Sequence, residues 1–424
     1  MAQHPKLIEF LKNSLTAYHA EKSVKALLLE KGFTLLNEQE EWQIEEGGNY
    51  FVERGASLIA FKVGSLDNFC FKITASHLDS PALKIKENPV KQCENCLTLN
   101  TETYGGGIWY SFFDRPLKIA GRAIFEKDDT LYPEVVESPF IVHIPSLSAH
   151  MNRDVNSAFS VNAQTDLAPL ISLSAEETNW LEQTVQNKAL AYDLYLTPCQ
   201  EPYFFGVNNE FLASPRLDNL ISVYATVEGL LNAKPQSGIC VGAFMQYEET
   251  GNRTAQGASG DFLKNTLRLI AYALKLDVND FYKAIASSFL LSVDNAHAVH
   301  PNHPEKSDPT NKTLLGKGVV IKSHANGAYV TDALSSAVVK HIFEKAGVPY
   351  QYFFNRADMP SGSTLGVAMT TRLGMNGADI GIAQLAMHSA MECCCILDYA
   401  PLVDGITAFY SMDITGDGNS FTVK

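Results

Sequence analysis

Long apolar runs are absent from this 424-residue chain, and none reaches the ~20 residues that a membrane-crossing helix needs. The opening stretch MAQHPKLIEFLKNSL carries no extended apolar core, so it does not read as a secretory signal. Positive charge is in short supply. Lys and Arg total 33 against 47 Asp and Glu, a formal charge of −14, which argues against nucleic acid or an anionic membrane as the main partner. Bound cations would offset part of that charge. Internal repeats and low-complexity tails are missing. So is a second cysteine pair: Cys93 and Cys96 form a lone C-x-x-C with nothing following at zinc-ribbon spacing. The eight cysteines include the adjacent Cys393, Cys394 and Cys395. Neighbours that close suit a disulfide framework poorly, and a cytoplasmic, reducing location fits better. We expect this run to pack within a buried helix. The triplet Gly105, Gly106 and Gly107 lacks the Gly-Lys-Ser/Thr of a phosphate loop, which leaves it a backbone or packing role.

What is present is ordinary globular material. Hydrophobic residues make up 46% and charged residues 19%, enough for a large core, and the length allows two or three domains. Apolar spacing over residues 6–31 predicts helix. The runs SLIAFKVG and NFCFKITASHLDS predict strands, the second ending in His-Leu-Asp. From about residue 90 to 205 the character changes to β-like runs (LKIAGRAIF, PFIVHIPSL) and then a polar helical stretch around SAEETNWLEQTVQ. Beyond it, SPRLDNLISVYATVEGLLNA reads as a turn and an amphipathic helix. GICVGAFMQYEE and SSFLLSVDNAHA are apolar runs ending in acids, and TDALSSAVVKHIFEKAG is a helix closed by Gly. Strands alternating with helices predict an α/β protein. Its organisation is a first catalytic part over 1–89, an inserted β-rich segment over 90–205, and a second catalytic part over 206–424.

In an open α/β sheet, ligands gather beyond the carboxyl ends of the strands. His77, Asp79, Asp218, Glu248, Glu249, Asp294 and His388 all fall just past apolar runs or at turns. Taken singly, Asp218 reads as a helix cap and Asp294 as a turn residue. Together, imidazoles and carboxylates are ligands for zinc and related divalent ions. Five of them could hold two cations if one carboxylate bridged. Such a pair would offset the repulsion between the adjacent Glu248 and Glu249 and leave one glutamate free as a base. His297, His300 and His303 lie at irregular spacing in a Pro-containing loop, which favours substrate or indirect contacts over ligation.

The stretches SHLDSPALKIK, TYGGGIWYSFFDRPL, SPRLDNL, YEETGNRTAQGASG, LLSVDNAHAVHPN, MPSGSTLG and DIGIAQLAMHS resemble, in order and across nearly the whole chain, the M18 aminopeptidases, the aspartyl aminopeptidase family. The family pattern usually has Thr where this chain has Leu78, a position expected to point away from the site. The resemblance implies a mixed sheet sandwiched by helices, of metallo-aminopeptidase type, with an inserted dimerisation domain. It implies two divalent metal ions, Zn2+ with Co2+ or Mn2+ as alternatives, bridged by Asp218. His77 and Asp294 complete one site; Glu249 and His388 complete the other. Glu248 becomes the general base, and Asp79 orients His77. Lys322, rather than Lys317, becomes the cation that pairs with an acidic N-terminal side chain. His150 reaches a neighbouring subunit's active site in a tetrahedral dodecamer, and the donors of Ser361 and Gly362 hold the substrate backbone. The implied activity is removal of N-terminal Asp or Glu from short peptides. A noncatalytic self-assembling scaffold and a two-metal carboxypeptidase or deacylase are rival readings of the same residues.

Overall fold

Three apolar strands explain the placement of most of the acids and histidines. Phe71–His77, Ile239–Met245 and Phe289–Val293 are buried along their full lengths, as strands covered on both faces must be. They run parallel, and the register sets Met245 opposite His77 and Ser292 opposite Ala75. Residues just beyond these strands therefore emerge together at one edge of the sheet. The computed structural model describes residues 4–173, 179–186 and 188–424.

The whole sheet has nine strands, in the order Thr34–Leu35, Asn49–Arg54, Ser57–Val63, Ile239–Met245, Phe71–His77, Phe289–Val293, Asn376–Gly381, Val319–Lys322 and Tyr350–Phe353. It is mixed: Ser57–Val63 is antiparallel to Ile239–Met245, and Val319–Lys322 is antiparallel to Asn376–Gly381. Helices cover both faces. Pro5–Asn13, Ala17–Glu30, Leu217–Asn232, Ala333–Ala346 and Tyr399–Ser411 contribute to one apolar core; Phe262–Ala273, Val278–Ser287 and Leu365–Leu373 contribute to a second. The expected α/β sandwich is the observed one. The helical stretch predicted over 6–31 divides into two helices, separated at Ser14–Thr16. The Ala333–Ala346 helix carries a capping box, with Asp332 accepting from the Ser335 N–H at 2.8 Å, and ends at Gly347 with φ 69°.

A six-stranded sheet is built largely from strands that follow Phe71–His77 in the chain, in the order Thr130–Val142, Leu117–Lys127, Ala191–Pro198, Ala82–Cys93, Cys96–Tyr104 and Leu170–Ser172. By strand membership it begins at Ala82 and ends at Pro198, a few residues ahead of 90–205 at both ends. The polar helix expected around 174–186 is described only as Trp180–Val185; residues 174–178 lie outside the described residues.

A third sheet of five short strands links the parts: Tyr203–Phe205, Phe211–Ser214, Glu392–Cys395, Ala383–Leu385 and Ala296–His297. Here the structure corrects the expectation for the cysteine run. Cys393, Cys394 and Cys395 form a strand, not a helix. Phe211–Ser214 and Ala383–Leu385 flank it and pair with its backbone on both sides, and this tertiary pairing sets its conformation. All eight cysteines are free thiols. Among the described residues, no helix is long and apolar enough to cross a membrane.

Candidate metal centre

Asp218 lies at the middle of the cluster. It sits in the first turn of the Leu217–Asn232 helix with non-helical angles (φ −81°, ψ 105°). Its Oδ1 lies 3.4 Å from His77 Nε2, and its Oδ2 lies 3.3 Å from His388 Nε2. His77 Nε2 is also 3.8 Å from Asp294 Oδ1, and His388 Nε2 is 3.5 Å from Glu249 Oε1. One carboxylate thus stands between two imidazoles, each with a further carboxylate beside it. His77, Asp294 and the Glu249 side chain are buried, and His388 is partly open to solvent.

The second nitrogen of each ring fixes what the first can do. His77 Nδ1 donates to the Asp79 carbonyl at 2.9 Å, and His388 Nδ1 donates to the Gly106 carbonyl at 3.0 Å. In the neutral rings the Nε2 lone pairs therefore face the Asp218 oxygens, acceptor against acceptor. Only a proton or a metal cation between them makes that arrangement favourable. Asp218 Oδ1 and Glu249 Oε1 are buried and accept no hydrogen bond among the described residues, and buried polar atoms in that condition point to a missing partner. Among the described residues, His77, Asp218 and Glu249 form a compact group with ligand atoms within 4.8 Å of one another. The donor set of imidazole and carboxylate suits zinc and related divalent ions. The residues fit a metal.

Ionisation follows the same logic. Burial opposes protonation of His77 and His388, but neighbouring carboxylates outweigh it. Asp218 and Asp294 raise His77 well above the usual range, and Asp218 and Glu249 raise His388 to about 10. Asp218 goes the other way: despite burial, the two imidazoles hold it far below a normal carboxyl. Burial, reinforced by Asp294, Asp79 and Asp218 against the opposing pull of His77, raises Glu248 to about 8. The metal-free site thus carries protons at neutral pH where cations would sit. Zinc chloride added to metal-free protein in weakly buffered solution at pH 7.5 should expel the protons on His77 and His388, which an indicator dye reads as acidification. Apparent metal affinity should climb with pH until about 10, where His388 deprotonates unaided. Metal uptake with no proton release would overturn this assignment.

Asp79 orients His77 through its backbone carbonyl. Its carboxylate has different work: Oδ1 accepts from the Glu248 N–H and Oδ2 from the Glu249 N–H, both at 3.1 Å, and Tyr104 donates to Oδ2 at 2.8 Å. That bracket holds the turn carrying both glutamates. Gly105 and Gly106 lie against the site. A Cβ on Gly105, which has φ 73°, would stand 3.1 Å from Glu249 Cβ, so the glycine run serves close approach and His388 support. Gly381 allows a similar approach, since a Cβ there would fall 2.0 Å from the Asp294 carbonyl oxygen. Leu78 packs in the apolar core.

Lys322 does not reach for solvent. It is 2% exposed, with Nζ 3.5 Å from Asp294 Oδ2, donating to the Asn295 carbonyl at 3.1 Å and lying over the Tyr329 ring at 5.1 Å. Ser361 donates to the Gly362 carbonyl at 2.8 Å in an exposed turn, and Thr364 three residues on donates to the buried Asp379 at 2.6 Å. His150 is exposed on a turn between the Thr130–Val142 and Leu170–Ser172 strands. The structure thus brings His77, Asp79, Asp218, Glu248, Glu249, Asp294, His388 and Lys322 together; His150 stands apart from them within one chain, and Ser361 and Gly362 make only local contacts. His297 ends a short strand, while His300 and His303 lie on an exposed loop. Glu392 escaped sequence reasoning. It is buried, accepts the N–H groups of both Asp218 and His388, and is raised to about 8 by burial and Asp218. Its one sequence signal is an acid beside three cysteines in an otherwise apolar strand.

The family model described as Aminopeptidase I zinc metalloprotease (M18) matches residues 10–410. A probable M18 family aminopeptidase 2 of Clostridium acetobutylicum is 40% identical, over 96% of this chain and 98% of that protein. One from Pseudomonas entomophila is 36% identical, over 95% and 97%. The fold is similar to that of Ape4 in its complex with Nbr1 (TM-score 0.90, 32% identity, 96% of this chain and 85% of that one). It is also similar to yeast aminopeptidase 1 (TM-score 0.83, 26% identity, 96% of each chain).

Proposed function

Because the chain belongs to the M18 aminopeptidase family, we propose that it is a two-metal enzyme that removes the N-terminal residue from short peptides and prefers Asp or Glu there. The observation that carries this reading is the Asp218 carboxylate set between two histidine nitrogens that cannot both face it without a proton or a metal cation between. Asp218 would bridge, with His77 and Asp294 on one ion and Glu249 and His388 on the other. Zn2+ matches the family description, and Co2+ and Mn2+ accept the same ligand types. When bound, the cations supply Lewis acidity toward the scissile carbonyl and acidify the attacking water. Glu248, held at the edge of the cluster by Asp79, takes the proton from that water and returns it to the departing amine. A peptide acetylated at its N-terminus should not be cleaved; cleavage of it would exclude an aminopeptidase.

Substrate choice rests on Lys322. A buried ammonium beside the cluster suits a carboxylate side chain in a partly desolvated pocket. Lys322→Met should lower the kcat/KM ratio of N-terminal Asp over N-terminal Ala peptides on the order of 10²-fold, the effect of deleting one member of a desolvated charge pair. Using the ratio removes any shared effect through Asp294. An unchanged ratio would exclude Lys322 as the specificity residue. In the same reading the turn at Ser361 and Gly362 contacts the peptide backbone. The segment 90–205 forms a dimerisation interface, and His150 completes the pocket of a neighbouring copy in a tetrahedral dodecamer. The enzyme would work in the cytoplasm, where its eight free thiols stay reduced.

A further inference from the structure

We propose that Glu392 is a positioning residue that supports one of the two cation sites selectively, the one built from Asp218, Glu249 and His388. The inference rests on the two-cation reading above. Glu392 is 2% exposed. Its Oε2 accepts the Asp218 N–H at 2.8 Å, and its Oε1 accepts the His388 N–H at 2.6 Å. The side chains of those two residues meet at 3.3 Å. One carboxylate therefore closes a ring: backbone of Asp218, side chain of Asp218, side chain of His388, backbone of His388, and back to Glu392.

Both backbones need such a holder. His388 has φ 69°, a left-handed conformation that a residue with a Cβ adopts only when its surroundings impose it. Asp218 lies in the first turn of a helix, where N–H groups find no partner within the helix. Glu392 is itself fixed, since its strand pairs with Phe211–Ser214 and sets Glu392 opposite Ser214, four residues before Asp218. Each Glu392 oxygen accepts one of the two N–H groups, so a single side chain meets both backbone donors.

The support is asymmetric. His77 is oriented by Asp79, and Glu392 makes no hydrogen bond to His77, Asp79 or Asp294. Glu392→Gln keeps the shape but turns an NH2 toward one of the two N–H groups, so it cannot accept both. Loss of a partner just outside a metal's ligands weakens binding roughly 10–100-fold. The cation shared with His388 should take most of that loss, because Glu392 holds both Asp218 and His388, and the cation shared with His77 should feel only the smaller part that reaches it through Asp218.

Equilibrium dialysis of metal-free protein against buffered free zinc tests this. Wild type should take up two equivalents. Glu392→Gln should take up one close to the wild-type zinc concentration and the second only at 10–100-fold higher zinc, with the melting temperature of the metal-free protein unchanged. Superimposable uptake curves, or an equal weakening of both steps together with a lowered metal-free melting temperature, would overturn the inference. Wild type taking up fewer than two equivalents would instead sink the two-cation reading, visible before any variant is compared. Should the glutamine variant fail to fold, Glu392→Asp, which keeps the charge but is one methylene too short to reach both N–H groups, is read by the same curves.

Discussion

Glu248→Gln should lower kcat/KM on an N-terminal Asp peptide by about 10³-fold or more, at unchanged metal content. The assigned role requires a group that accepts a proton and gives it back, and glutamine does neither. General acid–base catalysis contributes typically ~10²–10⁴-fold. Metal binding should survive because Glu248 is held through its backbone: its N–H donates to Asp79, and that contact is independent of the side chain. The environment supports the role. Burial and three nearby acids raise the carboxyl to about 8 in the metal-free site, and His77 opposes them. Bound cations would favour the ionised carboxylate, the form that accepts a proton. Steady-state kinetics paired with elemental analysis decides. Full activity in the variant, or activity lost only together with the metal, would remove Glu248 from the mechanism.

Asp218→Asn should be more damaging still, with turnover falling on the order of 10⁴-fold and cation content falling with it. The Asp218 side chain lies beside both histidines, at 3.4 and 3.3 Å. An amide in its place offers a neutral oxygen to one side and a donor to the other. Neither ion would then be held well, and both Lewis acidity and water activation would disappear together. Folding should persist, because the surrounding helix and sheet are built from apolar contacts of Leu217, Leu220, Ile221 and Tyr224 rather than from this carboxylate. Circular dichroism separates loss of metal from loss of structure. A variant that kept two cations would exclude Asp218 as the bridge.

Much of this site is legible in the sequence because strand chemistry and ligand chemistry coincide. Apolar runs that end in His-Leu-Asp, Glu-Glu and Asp-Asn mark both the end of a buried strand and the edge where ligands gather, as His77, Glu249 and Asp294 do. Two things were not legible. The environment of Lys322 depends on Tyr329 and Asp294 arriving from other segments, and a lone lysine on a strand more commonly keeps its charge in water. Glu392 was hidden because its value lies in backbone groups 174 and 4 positions away, and backbone partners leave no trace in residue type. The cysteine run beside it misled for a related reason. Three adjacent thiols carry little intrinsic preference, so pairing with Phe211–Ser214 and Ala383–Leu385 decided their conformation.

The hydrogen bond from His388 to Gly106 spans 282 positions of the chain. A ribosome delivers the polypeptide from its N-terminus at ~5–20 residues per second, so the imidazole that completes the cluster is among the last of its parts to emerge. Until then the earlier strands can pair and bury their apolar faces, yet the centre lacks one wall. A growing chain in which residue 388 has not yet been made therefore lacks the second imidazole, and Asp218 faces His77 alone.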